Sequence, residues 1–250
     1  MTVSLKYRRT ARKILPRAVI VAGASLVLPI ASGNTQTIVQ SGGEGQNVII
    51  INGQRVDPVV AAGPDTSETR TLESFHAISI NVPAQASFSI AATPSIRITT
   101  QANVLPVVTT RVEQGTLKIN IQGAVTLHAP IRIEIAGPSP DAVSISGTAH
   151  FTANDLSSHS LVLSVNGNAT IEASGAVEQL HAIVNGAGTI DTSAIHARAV
   201  DAEVSGTATM HAFASESAKV RISGVGSIHI AGQPAQRTVE RNGLATVSFD

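Results

Sequence analysis

The sequence predicts an all-β protein, built as a right-handed parallel β-helix (a β-solenoid) with rungs of about 19 residues. Three observations predict it. First, a six-residue phrase recurs between Asp141 and Phe249: Ser or Asn, then Gly, a variable residue, a small residue, a polar residue and an apolar residue. Its copies begin at Ser146, Asn166, Asn185, Ser205, Ser223 and Asn242, with glycine-to-glycine steps of 20, 19, 20, 18 and 19 residues. A fixed period of this length marks stacked repeats. Second, the segment before the repeats alternates apolar and polar residues with period two. Third, no segment holds a 3.6-residue apolar period over ten residues or more. Parallel crossovers strongly favour the right hand, which sets the expected handedness.

Composition narrows the core. Hydrophobic residues make up 43% of the chain but aromatics only 2%, so the core is built from Val, Ile, Leu and Ala. Such small side chains suit thin stacked layers. There is no cysteine, which excludes disulfides, thiolate metal sites, a cysteine nucleophile and a lipidated N-terminal cysteine.

The chain opens on Lys6, Arg8, Arg9, Arg12, Lys13 and Arg17, followed by an apolar run from Ala18 to Ala31. Small residues at Ala31-Ser32-Gly33 then fit signal-peptidase cleavage before Asn34. Residues 1–33 therefore read as a secretory signal peptide; the alternative is a retained membrane anchor, which the short apolar run and Pro29 disfavour. With the leader removed the remainder is acidic, which argues against a nucleic-acid partner. After cleavage the chain is expected not to be an integral membrane protein.

Residues 34–69 are rich in Gly, Ser, Gln, Asp and Pro and read as a flexible linker. Within it, residues 47–56 join an apolar run to an Asn52-Gly53 turn signal, which suits a short hairpin or a docking strand. Residues 70–250 form the expected solenoid. Its first part, 70–140, carries strands around Phe75–Val82, Phe88–Ile90, Ile96–Ile98, Val107–Val112, Leu117–Ile121 and Ile131–Ile135. These are expected to extend the stack and partly cap it.

The regular repeats fill 141–250. Two residues before each glycine stand Ile145, Val165, Val184, Val204 and Ile222; four after it stand Phe151, Ile171, Ile190, Met210, Ile228 and Val247. These even offsets face the core, and the odd offsets, carrying Ser, Thr, Glu, Asp, His and Lys, face water. Each glycine supplies the positive φ of a sharp corner. Stacked Asn166 and Asn185 can form a hydrogen-bonded ladder. With rungs about 4.8 Å apart, six corners span roughly 24 Å.

The order of these motifs resembles a known bacterial family. Leu72-x-x-Phe75-x-x-Ile78-x-Ile80-x-Val82 opens it, followed by Ser95-Ile96-x-Ile98 and Ala102-Asn103-Val104-Leu105-Pro106. Thr110-x-Val112-x-x-Gly115-x-Leu117-x-Ile119 comes next, and then the repeated phrase. Together they resemble the family called putative auto-transporter adhesin, head GIN domain, over residues 70–249. The resemblance implies an exported, β-helical protein with an adhesin-like role. The chain departs from the family's Ser-Gly-x-Gly phrase at Ala149, Ala169, Ala208 and Ala245, where Gly188 and Gly226 keep the second glycine.

Function must then sit on the outward columns or the ends. Five residues after each glycine lie Thr152, Glu172, Asp191, His211, His229 and Ser248. Two carboxylates beside two imidazoles form a candidate divalent-metal column, Glu172, Asp191, His211 and His229. A solvated strand face is the simpler account, because ligands on a flat ladder do not converge on one point. No metal or cofactor is expected. A Thr-rich row at the third position after each glycine suggests ice binding, but its neighbouring row is broken by Ala187, Val225 and Leu244.

Glu172 with Asp191 is the one carboxylate pair suited to glycoside chemistry. No nucleophile elbow and no phosphate-cradling loop is present. The expected function is a non-catalytic exported module, in the periplasm or at the cell surface. It would bind an envelope polymer or protein through broad polar faces. The alternatives are a carbohydrate-active β-helix enzyme acting on an acidic polysaccharide, and a periplasmic sensor or assembly partner that docks through 47–56.

Overall fold

The computed structural model describes residues 58–250, together with the backbone of three short strands before them. The chain divides into two compact units, Met1–Asp57 and Pro58–Asp250. In the first, β1 (Gln36–Thr37), β2 (Ile49–Ile51) and β3 (Gln54–Val56) form a small antiparallel sheet. Ile51 pairs with Gln54 across the Asn-Gly dipeptide. The expected leader, residues 1–33, lies outside the described residues.

The second unit is all-β. It contains β4 (Val59–Val60), β5 (Asp65–Thr71), β6 (Ala77–Ile80), β7 (Ala84–Ile90), β8 (Ser95–Gln101), β9 (Val108–Glu113), β10 (Thr116–Ile121), β11 (Val125–Thr126), β12 (Ile131–Gly137), β13 (Ala142–Ala231) and β14 (Gln236–Phe249). A single 3-10 turn, Leu105–Val107, has Pro106 in its first turn, where a missing N–H costs nothing. No helix among the described residues is long and apolar enough to cross a membrane.

β13 runs for 90 residues because it bends and continues rather than stopping. Bends recur at the repeat glycines, and further positive-φ positions stand at Asp155 and Gly175; β14 repeats the glycine corner at Gly243. Gly167, Gly186, Gly206, Gly224 and Gly243 all have φ between 130° and 143°. Each lies directly against the preceding glycine of the series, so an added Cβ would strike backbone. The corners therefore stack in one column at the repeat spacing, and only glycine satisfies both the dihedral and the space. β14 pairs parallel with the end of β13 from Ser217↔Gln236 to Ile230↔Phe249, a register offset of 19 residues.

The first half differs from the expected all-parallel stack. β6 and β7 are parallel to both neighbours: β6 lies between β10 and β13, and β7 between β12 and β13. β5–β8, β8–β12 and β9–β10 are antiparallel. The sheet is mixed, and local chain length is the reason. Glu113 pairs with Thr116 across two residues, Gln114 and Gly115, with φ of 50° and 73°. Two positive-φ residues make a tight hairpin, and so short a loop can join only antiparallel strands.

Strand pairing also begins before Arg70. β5 takes seven residues of the stretch read as linker and its boundary, pairing Asp65↔Gln101 through Thr71↔Ser95. Its sequence, DTSETRT, is polar on both faces and almost wholly exposed. Alternation could not reveal it, because backbone pairing with β8 holds it in place and burial does not.

One contiguous core runs through the unit, from Phe75 and Ile78 to Ile228 and Ile230. The even-offset positions are inside: Ile145, Phe151, Val165, Ile171, Val184, Ile190, Met210 and Ile228 are fully buried. Thr192, six residues after Gly186, is the polar exception. It is fully buried and donates from Oγ1 to the His211 carbonyl at 3.0 Å.

Candidate functional site: an outward polar column

The outward column predicted five residues after each glycine is longer than the repeat alone shows. Thr152 is paired with Ser87, Ser87 with Glu134, Glu134 with Arg97, and Arg97 with Thr69. The column thus runs Thr69, Arg97, Glu134, Ser87, Thr152, Glu172, Asp191, His211, His229 and Ser248. Its first members were invisible in sequence because they lie on strands whose spatial order differs from chain order.

The four candidate residues do not form one centre. His211 and His229 are neighbours, with ring centroids 5.9 Å apart and planes tilted by 55°. Asp191 turns to its own strand: Ser193 donates to its Oδ1 from Oγ at 2.6 Å and from the backbone N at 3.1 Å. The Ser193 hydrogen bonds hold the Asp191 carboxyl below the usual range, against partial desolvation and with a smaller contribution from His211. A carboxyl held ionised in this way is unsuited to the general-acid half of glycoside chemistry. No group of three or more metal-ligating side chains able to hold an ion occurs among the described residues.

At the end of the column His229 is clasped from both sides. Its Nδ1 lies 3.0 Å from Ser248 Oγ, and its Nε2 lies 2.8 Å from Asp250 Oδ2. The three residue types match a hydrolytic triad. The setting does not: His229 is a third exposed and Asp250 two-thirds exposed. Water competes for every partner, and a low-dielectric site able to activate a hydroxyl is lacking.

Sequence reasoning missed a charged face three and five residues before the glycines. Arg221 reaches Asp201 at 3.8 Å and Glu203 at 3.9 Å, and is register-paired with Glu240. Arg198 meets Glu216 at 2.8 Å on another face, and His159 meets Glu178 at the same distance. Tabulating the odd offsets before each glycine would have exposed the first set. The Thr row behaves as its neighbours predicted: Val225 and Leu244 are exposed beside it and interrupt any flat polar plane.

The Asn ladder forms, with Asn185 Nδ2 donating to Asn166 Oδ1 at 3.1 Å. A second ladder, Asn81 Nδ2 to Asn120 Oδ1 at 2.8 Å, stands at the matching corner of the first half.

Comparison with known proteins agrees with this architecture. A solved structure described as a putative adhesin from Bacteroides fragilis aligns with a TM-score of 0.62 at 18% identity, covering 77% of this chain and all of its own. A putative adhesin from Parabacteroides merdae aligns with a TM-score of 0.50 at 20% identity, covering 78% of this chain and all of its own. A protein described as a putative lipid binding protein from Parabacteroides distasonis aligns at 0.51 and 14% identity, again over 78% of this chain and the whole of the other. At such identities the likeness is one of fold. No significant match is found among curated protein sequences. The family model described as putative auto-transporter adhesin, head GIN domain, matches residues 74–234, and the chain belongs to that family.

Proposed function

We propose that the protein is a non-catalytic, exported binding module of the bacterial envelope, adhesin-like in its mode of action. In this reading residues 142–249 wind as a right-handed parallel β-helix with rungs of about 19 residues, and outward polar columns engage an envelope polymer or protein. The observation that carries it is the flatness of those columns. Outward side chains such as Asn166 and Asn185, or His211 and His229, meet the same position one repeat away and do not converge on a pocket. Such a face suits repeated shallow contacts, and its rigid backbone lowers the ordering cost of binding. Family membership and the basic-then-apolar leader support export, to the periplasm or the cell surface.

The test exposes a panel of acidic polysaccharides and envelope extracts to the wild-type protein and to a Glu172→Ala/Asp191→Ala variant. Retention without depolymerisation is expected. Turnover that disappears in the double variant would replace this reading with a carbohydrate-active enzyme. Protease shaving of intact cells assigns the compartment: cleavage places the module at the surface, and protection until the outer membrane is opened places it in the periplasm.

A further inference from the structure

The sheet has edge strands at β5, β9 and β14, and β5 and β14 are finished differently. β5 is a polar edge. Ser67 hydrogen-bonds Thr99 at 2.7 Å, Glu68 pairs with Arg70 at 2.9 Å, and Arg70 donates to the Val108 carbonyl of β9 at 2.8 Å. This is how proteins blunt an edge against pairing. β14 gives one edge to β13, and its opposite edge has no partner among the described residues. Fourteen residues at about 3.3 Å each leave a row of unpaired backbone groups roughly 46 Å long.

The side chains of β14 are equally unfinished. One repeat earlier, Val220, Ile222, Ile228 and Ile230 are at most 3% exposed. In β14 the inward Val239 is 37% exposed, Ala245, Val247 and Phe249 are only half-buried, and Leu244 is 82% exposed. The last strand therefore does not close the stack: its inward face is an open apolar shelf along Ala245, Val247 and Phe249, and carries Arg237 and Arg241 on either side of Val239, opposite buried Ala218 and Ile222.

We propose that this shelf is a self-recognition surface on which two copies of the chain join, β14 to β14, antiparallel about a two-fold axis through the Gly243 corner. β14 bends at Gly243, where φ is 130°, into an arm 236–241 and an arm 245–249. Rotation about an axis bisecting the bend lays each arm on the partner's other arm. Val239 then faces the partner's Val247, Arg241 the partner's Ala245, and Arg237 the partner's Phe249. Inward residues meet inward residues throughout, so the pleats of the two strands agree.

Charge agrees as well. The first arm carries Arg237 and Arg241 against a single Glu240, whereas the second carries no charge and is followed by Asp250, which also meets His229 at 2.8 Å. A net positive arm thus lies on an uncharged one that ends beside an aspartate, with no like charges opposed. Arg237 already sits 5.0 Å over the Phe249 ring in its own chain, the same pairing the contact would repeat between chains. The two Leu244 side chains meet as diagonal neighbours beside the axis, which gives that exposed residue a partner. Head-to-tail stacking is disfavoured, because it would set part of this shelf on the polar β5 edge, which lies beside β9. A two-fold contact is self-complementary and closed, so assembly stops at the dimer.

Sedimentation of the full-length protein at tens of micromolar concentration tests this. The wild type is expected at twice the chain mass. Val239→Lys and Val247→Glu are each expected to shift the protein to the monomer, with unchanged far-UV circular dichroism. The Val239→Lys/Val247→Glu double variant sets each new ammonium opposite the partner's new carboxylate, and is expected to restore the dimer. The absence of cysteine allows a second readout: Val239→Cys/Val247→Cys is expected to form a covalent dimer on mild oxidation, whereas Val247→Cys alone does not. A monomeric wild type overturns the proposal, as when another segment of the chain covers the shelf. So does a dimer that survives both single charge variants, or a double-cysteine variant that yields no cross-link.

Discussion

Residues 59–137 and residues 142–249 bury the same kind of side chain by two different routes. In the second region one six-residue phrase is reused, and each copy rests on the one before it through a stacked glycine corner. In the first region the corners are individual. Asn81-Val82-Pro83 turns β6 into β7 without glycine, and Gln114-Gly115 makes a hairpin. The consequence lies in the topology. The β6–β7 layer has the later repeats on one side and β10 and β12 on the other. The chain must leave that layer, turn back through antiparallel β8 and β9, and cross to the far side to begin β13. A repeated corner allows simple accretion in one direction, whereas individual corners allow the reversal that finishes an end.

The largest expected effect follows from the corners themselves. Gly186→Val places a side chain against the Gly167 backbone at a φ of 136°. A loss of about 4 kcal/mol is expected, from combined strain and overlap. Gly123→Val in the first region meets nothing within 4 Å and is strained only by its φ of 79°. Its expected cost is about 1–2 kcal/mol. Urea unfolding of the two variants measures the contrast, and equal losses would show that the stacked column is no tighter than an isolated loop.

Next comes the core. Phe75 is 2% exposed and its ring packs on Gly137, where any larger residue would strike it. Phe151 is fully buried in the core of the second region. Truncation of either to Ala is expected to cost about 3–5 kcal/mol. Because one cluster of buried residues includes both, a single unfolding transition is expected in each variant, with coincident midpoints by calorimetry and by far-UV circular dichroism. Two transitions in the Phe75 variant would separate the regions into independent folding units.

The same contrast governs what could be read from sequence. The repeats were legible because identical corners impose identical spacing, and the inward list from Ile145 to Ile228 is buried as the even offsets require. The mixed sheet was not legible. Alternation identifies a strand but carries no record of its neighbour, so the positions of β6 and β7 between later strands could not be inferred. β5 escaped for a second reason, since a polar edge strand has no buried face to betray it. At the candidate site, the adjacency of His211 and His229 followed from the period. The turn of Asp191 towards Ser193 did not, because it depends on a rotamer and a neighbour two residues away.

A smaller effect tests whether the corners of both regions do the same work. Asn185→Ala removes the ladder to Asn166, and Asn81→Ala removes the ladder to Asn120. Both pairs are exposed, so each change is expected to cost about 0.5–1 kcal/mol. A distinctly greater loss for Asn81, whose corner lacks glycine, would mean that the side-chain bond there substitutes for the backbone fit of the later corners.

The smallest expected effect depends on pH. Asp191 has a folded pKa below its ordinary value of 3.8, chiefly through the Ser193 hydroxyl. A carboxyl with a depressed folded pKa contributes stability above its unfolded pKa, and loses it as pH falls through the folded value. Ser193→Ala is therefore expected to destabilise the protein slightly at neutral pH, by under about 0.5 kcal/mol because the group is partly solvated. The difference from wild type should shrink below pH 3.8 and vanish once Asp191 is protonated in both states. Paired thermal melts across that range measure it. A difference that persists undiminished in acid would show that Ser193 acts through strand packing and not through the carboxylate. The repeated face would then owe nothing to local charge at this position, as is already true of the polar but uncharged Asn ladders.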